Sequence, residues 1–443
     1  MIFSCHRSTL VLMVAGLLAG ACDTDIFAAR KPPPLPGDRI SIMSQQQSIE
    51  PDRGLADLAV RLPPATANIE WPQAGGPPNH LVQHLAIGAA PREIWRASIG
   101  EGVSTETRLT ASPVIGGGRI FTMDSETTVS GFDANTGRRL WTFDVTPRDH
   151  GTGGQGGGVA FDGGRVYVAT GYAQVLVLDA ASGKEVWRQP VSAPVRTAPT
   201  VSGGRVFAVS IDNQLHTFDA GDGRKQWTHT GIVEVAGVFG GASPAVEGGI
   251  VVVAYSSGEI FALRVENGRV LWSDSLAGDR RANAAASFSN IRAHPVIDRD
   301  LVLAISHGGR MAAISLRTGN RVWDHTLAGI HTPWVAGDFI FVVGVDGELV
   351  CLTRREGRVR WVTQLRRYRD ENDKSTRIIW TGPLLMGGRL LLTNSLGEAV
   401  WVAPESGAIV GRQALPDATM VSPVAANGTL YVITDNADLV ALR

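Results

Sequence analysis

The ten residues from Phe132 to Trp141 read FDANTGRRLW: an apolar residue, a turn that begins with Asp and ends with Gly, and a Trp four residues after that Gly. The pattern returns six more times along the chain, and only the last copy lacks its Trp. Its glycines are Gly137, Gly183, Gly223, Gly268, Gly319, Gly357 and Gly407. Because Gly accepts the positive φ of a tight turn, each copy predicts two β-strands joined by a turn, with the Trp in the second strand.

A second pattern, a small residue and a Pro followed by a Gly turn and a β-rich run, recurs in the same rhythm. Its prolines are Pro113, Pro199, Pro244, Pro295, Pro333, Pro383 and Pro423, and an eighth copy, around Gly158, lacks the Pro. Both patterns repeat every roughly 40 to 50 residues, the length of one supersecondary unit in a repeat protein. A single four-stranded sheet cannot bury both of its faces, so such units must stack around a common axis.

The two ends of the repeat predict how the ring closes. The last strand, Asp438–Arg443, is followed by no Gly turn and no Trp, whereas the strand Glu93–Arg96 stands alone at the other end. Pairing these two strands completes a last sheet and removes an open edge. The sequence therefore predicts an all-β fold, an eight-bladed β-propeller closed by its N- and C-terminal strands.

Residues 1–21 have the features of a secretory signal peptide: a short basic start, an apolar run of about ten residues and small residues before Cys22. Two interpretations stay open. Either the signal is cleaved at an ordinary A-x-A site that ends at Ala21, or the segment resembles a bacterial lipobox and Cys22 is lipidated. Asp23, which follows, makes retention at the inner membrane an alternative to the outer membrane.

The remaining chain divides into two predicted regions. Residues 22–70 include the Pro-rich segment 31–37, which should be extended, and we interpret them as a tether or an arm lying on the ring. Residues 71–443 contain all copies of the repeat and are predicted to form the propeller.

Composition and motifs argue against several classes of function. The net charge is -1, so nothing indicates a surface for nucleic acid. The G-x-G-x-x-G match at Gly151–Gly156 precedes a β-run and no helix, which argues against a dinucleotide site. His80 and His84 lack the Glu of a zinc-protease helix, and Cys351 lies in an apolar strand. We therefore predict no catalytic residue, no metal and no cofactor.

Two loops are apolar where turns are normally polar: Ile232–Gly241, and Ala286–Arg292 in front of the next blade. An exposed apolar patch is typical of an interface, and loops in equivalent positions of adjacent blades share one rim. The alternative is that these residues cap the core of the ring. The predicted partner-binding residues are Val235, Val238, Phe239, Asn290, Ile291 and Arg292. A charged insertion, Leu365–Ser375, is either a solvated loop or a further polar contact.

The blade pattern, Asp-Ala-x-x-Gly-x-x-x-Trp after an apolar strand, resembles that of quinoprotein-type propellers. With its lipobox-like start, its Pro-rich segment and the stretch Trp71–Gly76 before short blades, the chain is similar to the BamB family over roughly residues 18 to 443. That family is the lipoprotein subunit of the machinery that inserts β-barrels into the outer membrane. The resemblance implies a non-catalytic scaffold, lipid-anchored on the periplasmic face of the outer membrane.

The resemblance also implies partners. They are the periplasmic domains of a BamA-like barrel insertase, with nascent outer-membrane proteins as a second candidate. In that family the contacts lie on one rim, in loops that correspond by position to Ile232–Gly241 and Phe288–Arg292. The residue types differ, since the second loop offers Asn290 and Arg292 where better-known members carry acidic residues.

Two alternatives remain open. Dehydrogenases that depend on pyrroloquinoline quinone share the blade pattern, but this chain has no adjacent cysteines, no C-x-x-C-H haem site and no evident cluster of calcium-binding carboxylates. The other alternative is a soluble propeller that binds a different envelope protein.

Overall fold

The computed structural model describes residues 49–88, 91–148, 154–234, 239–277 and 290–443. Within these ranges the chain forms 34 β-strands and a short 3-10 helix at Arg53–Leu55. All but two of the strands belong to eight antiparallel sheets of four strands each. These sheets are the blades of a β-propeller, which confirms the predicted fold class.

The first four blades follow one another along the chain. Blade 1 contains β2 (Val114–Gly116), β3 (Arg119–Met123), β4 (Thr128–Asp133) and β5 (Arg139–Asp144). Blade 2 contains β6 (Gly157–Asp162), β7 (Arg165–Thr170), β8 (Gln174–Asp179) and β9 (Glu185–Pro190). Blade 3 contains β10 (Thr200–Ser202), β11 (Arg205–Ser210), β12 (Gln214–Asp219) and β13 (Lys225–Thr230). Blade 4 contains β14 (Ala245–Glu247), β15 (Ile250–Ala254), β16 (Glu259–Arg264) and β17 (Val270–Ser275).

The other four blades complete the ring. Blade 5 contains β18 (Val296–Asp298), β19 (Leu301–Ile305), β20 (Arg310–Ser315) and β21 (Arg321–Thr326). Blade 6 contains β22 (Trp334–Ala336), β23 (Phe339–Val343), β24 (Glu348–Thr353) and β25 (Val359–Gln364). Blade 7 contains β28 (Trp380–Met386), β29 (Arg389–Asn394), β30 (Glu398–Val402) and β31 (Ile409–Ala414). Blade 8 contains β32 (Val424–Ala426), β33 (Thr429–Ile433), β34 (Asp438–Leu442) and β1 (Glu93–Ser98).

Blade 8 closes the ring as the sequence predicted. Its outermost strand, β1, comes from the N-terminal side of the repeat and pairs antiparallel with β34, so that Trp95 lies opposite Ala441. Arg92 and Arg443 extend the pairing with two reciprocal backbone hydrogen bonds of 2.8 Å. The final sheet therefore unites residues from both ends of the propeller and has no missing strand.

Each repeated Trp contacts the Gly turn of the next blade. In blade 3, for example, Gly223 has a φ of +75°, and a Cβ added there would lie 2.7 Å from Cδ2 of Trp187 in blade 2. The Trp187 indole N–H also donates to the carbonyl oxygen of Ala220 in the same turn, over 3.2 Å. Gly is required at this position because it accepts the positive φ and leaves room for the indole ring.

The one repeat without a Trp has a structural explanation. Gly411 of β31 occupies the position that the Trp holds in other blades, four residues after Gly407. In blade 8 the strand next to β34 is β1, which comes from the N-terminal side of the repeat, so the described blade has no corresponding turn for a Trp of blade 7 to contact. At the closure, Trp95 of β1 contacts Gly137 of blade 1 and continues the series.

Residues 66–86, called the arm below, make a circuit around the axis. The main-chain and side-chain groups of the arm hydrogen-bond to the innermost strand of every blade in turn. Blade 8 is contacted by Asn68, blade 1 by Trp71, blade 2 by Pro72, blade 3 by Gln73, blade 4 by Pro78, blade 5 by Asn79, blade 6 by Gln83 and blade 7 by Leu85. The circuit closes where Thr66 pairs with Leu85. The predicted boundary between residues 70 and 71 falls inside this arm.

A buried ion pair joins blades 5 and 6. Arg354 follows β24, and its guanidinium bonds both to the carboxylate of Asp298, which is fully buried, and to Asp300 at 2.6 Å. Arg299 contacts the same Asp298 carboxylate at 3.1 Å but is half-exposed. Two cations therefore compensate a charge that would be costly to bury alone.

Candidate partner-binding face

One face of the propeller carries the loops that lead from the outer strand of each blade to the inner strand of the next. Between blades 3 and 4 these loops border a groove of about 210 Å³. Its lining includes Ser210, Ile211 and Asn213 of blade 3, Glu234 and Gly240 of the first predicted loop, and Asn290 and Ile291 of the second. The structure thus brings the two predicted loops to the same groove.

The start of the first loop is held on both sides by side chains. Asn213 donates from its amide nitrogen to the carbonyl oxygen of Ile232 over 2.5 Å, and its amide oxygen accepts from the backbone and hydroxyl of Ser256. Glu259 of blade 4 accepts the backbone N–H of Ile232 over 2.6 Å. Because both backbone groups of Ile232 are bonded to neighbouring blades, the loop holds a fixed position at this point.

This fixed segment exposes apolar surface. Ile232 and Val233 are 61% and 60% exposed, and Ile211, which lines the same groove, is 40% exposed. Ile232 begins the apolar loop predicted from the sequence, but the predicted partner-binding residues lie further along that loop. Clustered apolar side chains that face water on a rigid loop are typical of a binding surface. The sequence feature most closely linked to Ile232 and Val233 is Asn213, whose side-chain amide donates to the carbonyl oxygen of Ile232.

The residues selected in the first loop have different outcomes. Val235 and Val238 lie outside the described residues. Phe239 is half-buried, and the guanidinium carbon of Arg196 lies 5.0 Å from the centre of its ring. A cation over an aromatic face is a favourable contact, so one face of the Phe239 ring is covered by the protein's own Arg196.

Two of the three residues selected in the second loop are buried. Asn290 is 3% exposed and Ile291 is 1% exposed, and Ile291 packs in the core between blades 4 and 5. Both residues border the groove, but their side chains are almost wholly covered by the protein itself, and their role in partner binding stays a prediction. Arg292 is only partly buried, and its Nε lies 2.9 Å from the position that a Cβ on Gly240 would occupy.

The charged insertion forms a small hairpin. Its strands are β26 (Tyr368–Asp370) and β27 (Ser375–Arg377). Arg367 and Arg377, at its base, both bond to the carboxylate of Asp346 in blade 6 at 2.6 Å. Within the hairpin, nine consecutive residues, 369–377, are exposed. The insertion is therefore an ordered, solvent-facing projection, and a partner contact through it stays a prediction.

His80 and His84 have structural roles in the arm. His80 has a positive φ of 61° and donates from Nδ1 to the carbonyl oxygen of Pro295 over 2.8 Å. His84 donates from Nδ1 to Pro63 and accepts the backbone N–H of Gly388 at Nε2. Within the described ranges, no three His, Cys, Asp or Glu side chains lie close enough to share a metal ion.

Cys351 lies in β24 with its side chain buried, and burial raises the pKa of its thiol. The neutral thiol is a poor nucleophile, because reactivity requires the thiolate. No helix in the described part of the chain has the length and apolar character needed to cross a membrane.

Comparison with known proteins supports the resemblance to the BamB family that the sequence patterns indicate. The family model described as "Outer membrane protein assembly factor BamB" matches residues 125–363, more than half of the chain. The outer membrane protein assembly factors BamB of Yersinia pestis and Escherichia coli are each 25% identical to it, over 77% of this chain and 86% of the relative.

Solved structures share the fold at lower identity. The crystal structure of BamB from Moraxella catarrhalis superposes with a TM-score of 0.65 at 16% identity, over 80% of this chain and 99% of that one. The quinohemoprotein alcohol dehydrogenase of Comamonas testosteroni gives a TM-score of 0.65 at 13% identity, over 85% and 81% of the two chains. These likenesses concern the fold alone, whereas the sequence match discriminates between the families. The chain belongs to the BamB family of outer membrane protein assembly factors.

Proposed function

We propose that this protein is a non-catalytic scaffold in the assembly of outer-membrane β-barrel proteins, and that it binds the periplasmic domains of a BamA-like barrel insertase. Its relatives are named as assembly factors of outer membrane proteins. The observation that carries the proposal is the pair of exposed apolar side chains, Ile232 and Val233, on a segment whose backbone is anchored by Asn213 and Glu259 and whose next residue, Glu234, lines the groove between blades 3 and 4.

The groove is suited to a partner that brings an apolar side chain or an extended edge. Burying one aliphatic side chain of this size stabilises a complex by about 1.5–3 kcal/mol, and the anchored loop loses little conformational entropy on binding. Ile232 and Val233 are the proposed anchors. Phe239 and Arg292 are proposed as further contacts, and the ring of Phe239 is flanked by the guanidinium of Arg196.

We infer the location from the N-terminal sequence. Cleavage after residue 21 and lipidation of Cys22 would leave residues 22–70 to join the propeller to the periplasmic face of the outer membrane. Several acyl chains, each methylene of which contributes about 0.8 kcal/mol, form a stable anchor. Cys22 and Asp23 both precede Ile49, where the described part of the chain begins. Retention at the inner membrane, which Asp23 suggests, stays an alternative prediction. Nascent outer-membrane proteins are a second candidate partner.

A binding experiment with matched variants tests the proposal. The purified periplasmic domains of the organism's own barrel insertase are titrated into the propeller by calorimetry. We expect Ile232→Asp and Val233→Asp each to weaken binding at least about tenfold, because a charge would replace a buried apolar contact. Val410→Asp, on the exposed outer strand of blade 7, is the control and should bind normally. Equal affinities for all three variants, or no binding by the unmodified protein, would refute the proposal.

Phe239→Asp separates a binding role from a packing role. Because part of the Phe239 side chain stays open to a partner and an aspartate could still pair with Arg196, we expect this variant to lose partner binding while its melting temperature stays nearly unchanged. A large fall in melting temperature would instead place the side chain in the core of the ring.

A further inference from the structure

The axis of the propeller contains a cavity of about 140 Å³, which we call the channel cavity. The arm closes one end, and Trp71 of the arm lies with its ring centre 6.4 Å from that of Trp334. Val82, Leu384 and Val421 add further apolar lining. For comparison, an apolar cavity of about 150 Å³ is large enough to bind benzene. The closed end therefore offers space for one group of the size of an aromatic ring.

Among the residues that the structure describes, the lining of the channel cavity carries positive charge and no negative charge. Arg196 and Arg292 line it, and the described lining includes no Asp or Glu. The Nε of Arg196 is buried and meets no acceptor in the described part of the chain, and its guanidinium lies over the Phe239 ring. For Arg292 the described parts of the chain provide neither a hydrogen bond nor an ion pair, and burial lowers its pKa. A buried cation without an anion is costly, so an anionic ligand would stabilise the site.

The histidines of the cavity do not supply the missing negative charge, and they do not add positive charge at neutral pH. His294 accepts the backbone N–H of Ser243 at Nδ1 over 2.8 Å, which places its proton on Nε2. Burial, with Arg292 nearby, lowers the pKa of His331 to about 3 and that of His294 well below its usual value. The charge of the cavity is therefore that of its two arginines.

We propose that the channel cavity binds a carboxylate attached to a single apolar group, with Arg196 and Arg292 pairing with the carboxylate and Trp71 and Trp334 contacting the apolar group. The planar guanidinium is suited to this role because its donors match the two oxygens of a carboxylate. The same chemistry has two possible sources, a small carboxylic acid and the C-terminal residue of a polypeptide. This site is distinct from the exposed anchors Ile232 and Val233, so either proposal can fail without the other.

The first experiment uses the full chain and 3-phenylpropanoate, with 3-phenylpropanamide as its neutral counterpart. Quenching of tryptophan fluorescence and calorimetry report binding, because two indole rings line the cavity. We expect the acid to bind and the amide to bind at least about tenfold more weakly. Arg292→Gln and Arg196→Gln should each weaken the acid about tenfold to a hundredfold, the range for one hydrogen-bonded charge pair. Arg355→Gln, at an exposed turn of blade 6, is the control and should leave affinity unchanged.

Thermal unfolding of the ligand-free variants distinguishes a binding role from a structural one. If the arginine has no internal partner, Arg292→Gln removes an uncompensated buried charge, and the melting temperature should stay the same or rise. A fall of several degrees would show that Arg292 holds the fold together and would overturn the proposal. Equal affinity for acid and amide, no binding of the acid at millimolar concentration, or an equal loss in Arg355→Gln would overturn it as well.

A peptide identifies the source of the carboxylate. A pentapeptide of four alanines and a C-terminal phenylalanine is compared with the same peptide amidated at its C-terminus. Tighter binding of the free-acid peptide than of 3-phenylpropanoate supports a polypeptide end as the ligand. Binding of the small acid alone supports a free carboxylic acid. Binding of the amidated peptide as tightly as the free acid would overturn the proposal.

Discussion

Gly223→Ala tests whether the contact of each Trp with the next Gly turn stabilises the ring. The φ of +75° places the residue in the left-handed region, which costs an L-amino acid about 1–2 kcal/mol. The added Cβ would lie 2.7 Å from Cδ2 and 2.8 Å from Cε3 of Trp187, where carbon atoms prefer about 3.5–4.0 Å. Trp187 is buried and bonded to Ala220, so it cannot move aside freely. Such overpacking adds about 1–3 kcal/mol.

Gly204→Ala is the matched control for this substitution. Gly204 lies in the same blade with a φ of +73°, but a Cβ there meets nothing within 4 Å. We therefore expect Gly204→Ala to lose only the conformational part, about 1–2 kcal/mol, and Gly223→Ala about 2–5 kcal/mol in total. Urea unfolding followed by tryptophan fluorescence measures both. If the two variants lose the same free energy of unfolding, the indole does not constrain the turn and the reasoning fails.

Three further predictions concern the core, the arm and the response to pH. Arg354→Ala leaves the fully buried carboxylate of Asp298 without its main partner and should lower the free energy of unfolding by about 3–5 kcal/mol. Arg299 is half-exposed beside the same carboxylate, so Arg299→Ala should lower it by about 1 kcal/mol or less. Equal losses in urea unfolding would contradict the burial argument. Trp71→Ala should lower the free energy of unfolding by about 3–5 kcal/mol because the indole ring is buried. Ile69 is 79% exposed, so Ile69→Ala should lower it by about 0.5 kcal/mol or less. A small loss for Trp71→Ala would show that the arm does not stabilise the ring. Burial lowers the pKa of His80 to about 4, so below pH 6.5 the unfolded chain binds the proton first, and His80 should contribute up to about 1.4 kcal/mol per pH unit to a fall in unfolding free energy between pH 6.5 and pH 4. His80→Gln should remove this contribution and leave those of His294 and His331, whereas an unchanged slope would exclude His80 as a source.

The parts of the fold that follow local rules could be predicted from the sequence. The Asp133 turn illustrates why: its carboxylate accepts the N–H groups of Asn135 and Thr136, and Gly137 takes the positive φ that ends the turn. A turn of this kind is specified by six neighbouring residues, so each copy is recognisable wherever it occurs. Ring closure could also be predicted, because a missing turn at one end and an unpaired strand at the other imply each other.

The arm and the groove could not be predicted in the same way. The arm has no periodicity, and its hydrogen bonds reach strands that lie up to several hundred residues away, as from Asn68 to Ala425. Its path depends on inner strands that exist only once the ring has formed. Burial of Ile291 likewise depends on packing between two blades, whereas its neighbours in sequence suggest only an apolar loop. Sequence patterns therefore identified the face of the groove but not which of its side chains meet solvent.

The pairing of β1 with β34 has a consequence for biosynthesis. A ribosome releases residues 93–98 long before residues 438–442, so the first strand must wait without its neighbour while more than three hundred residues are made. During that interval the inner edge of β1, which later pairs with β34, has no partner, and an unpaired edge is a site of aggregation. Because blade 8 is completed only by this pairing, a stop codon that removes the last six residues should be as harmful as the loss of a whole blade.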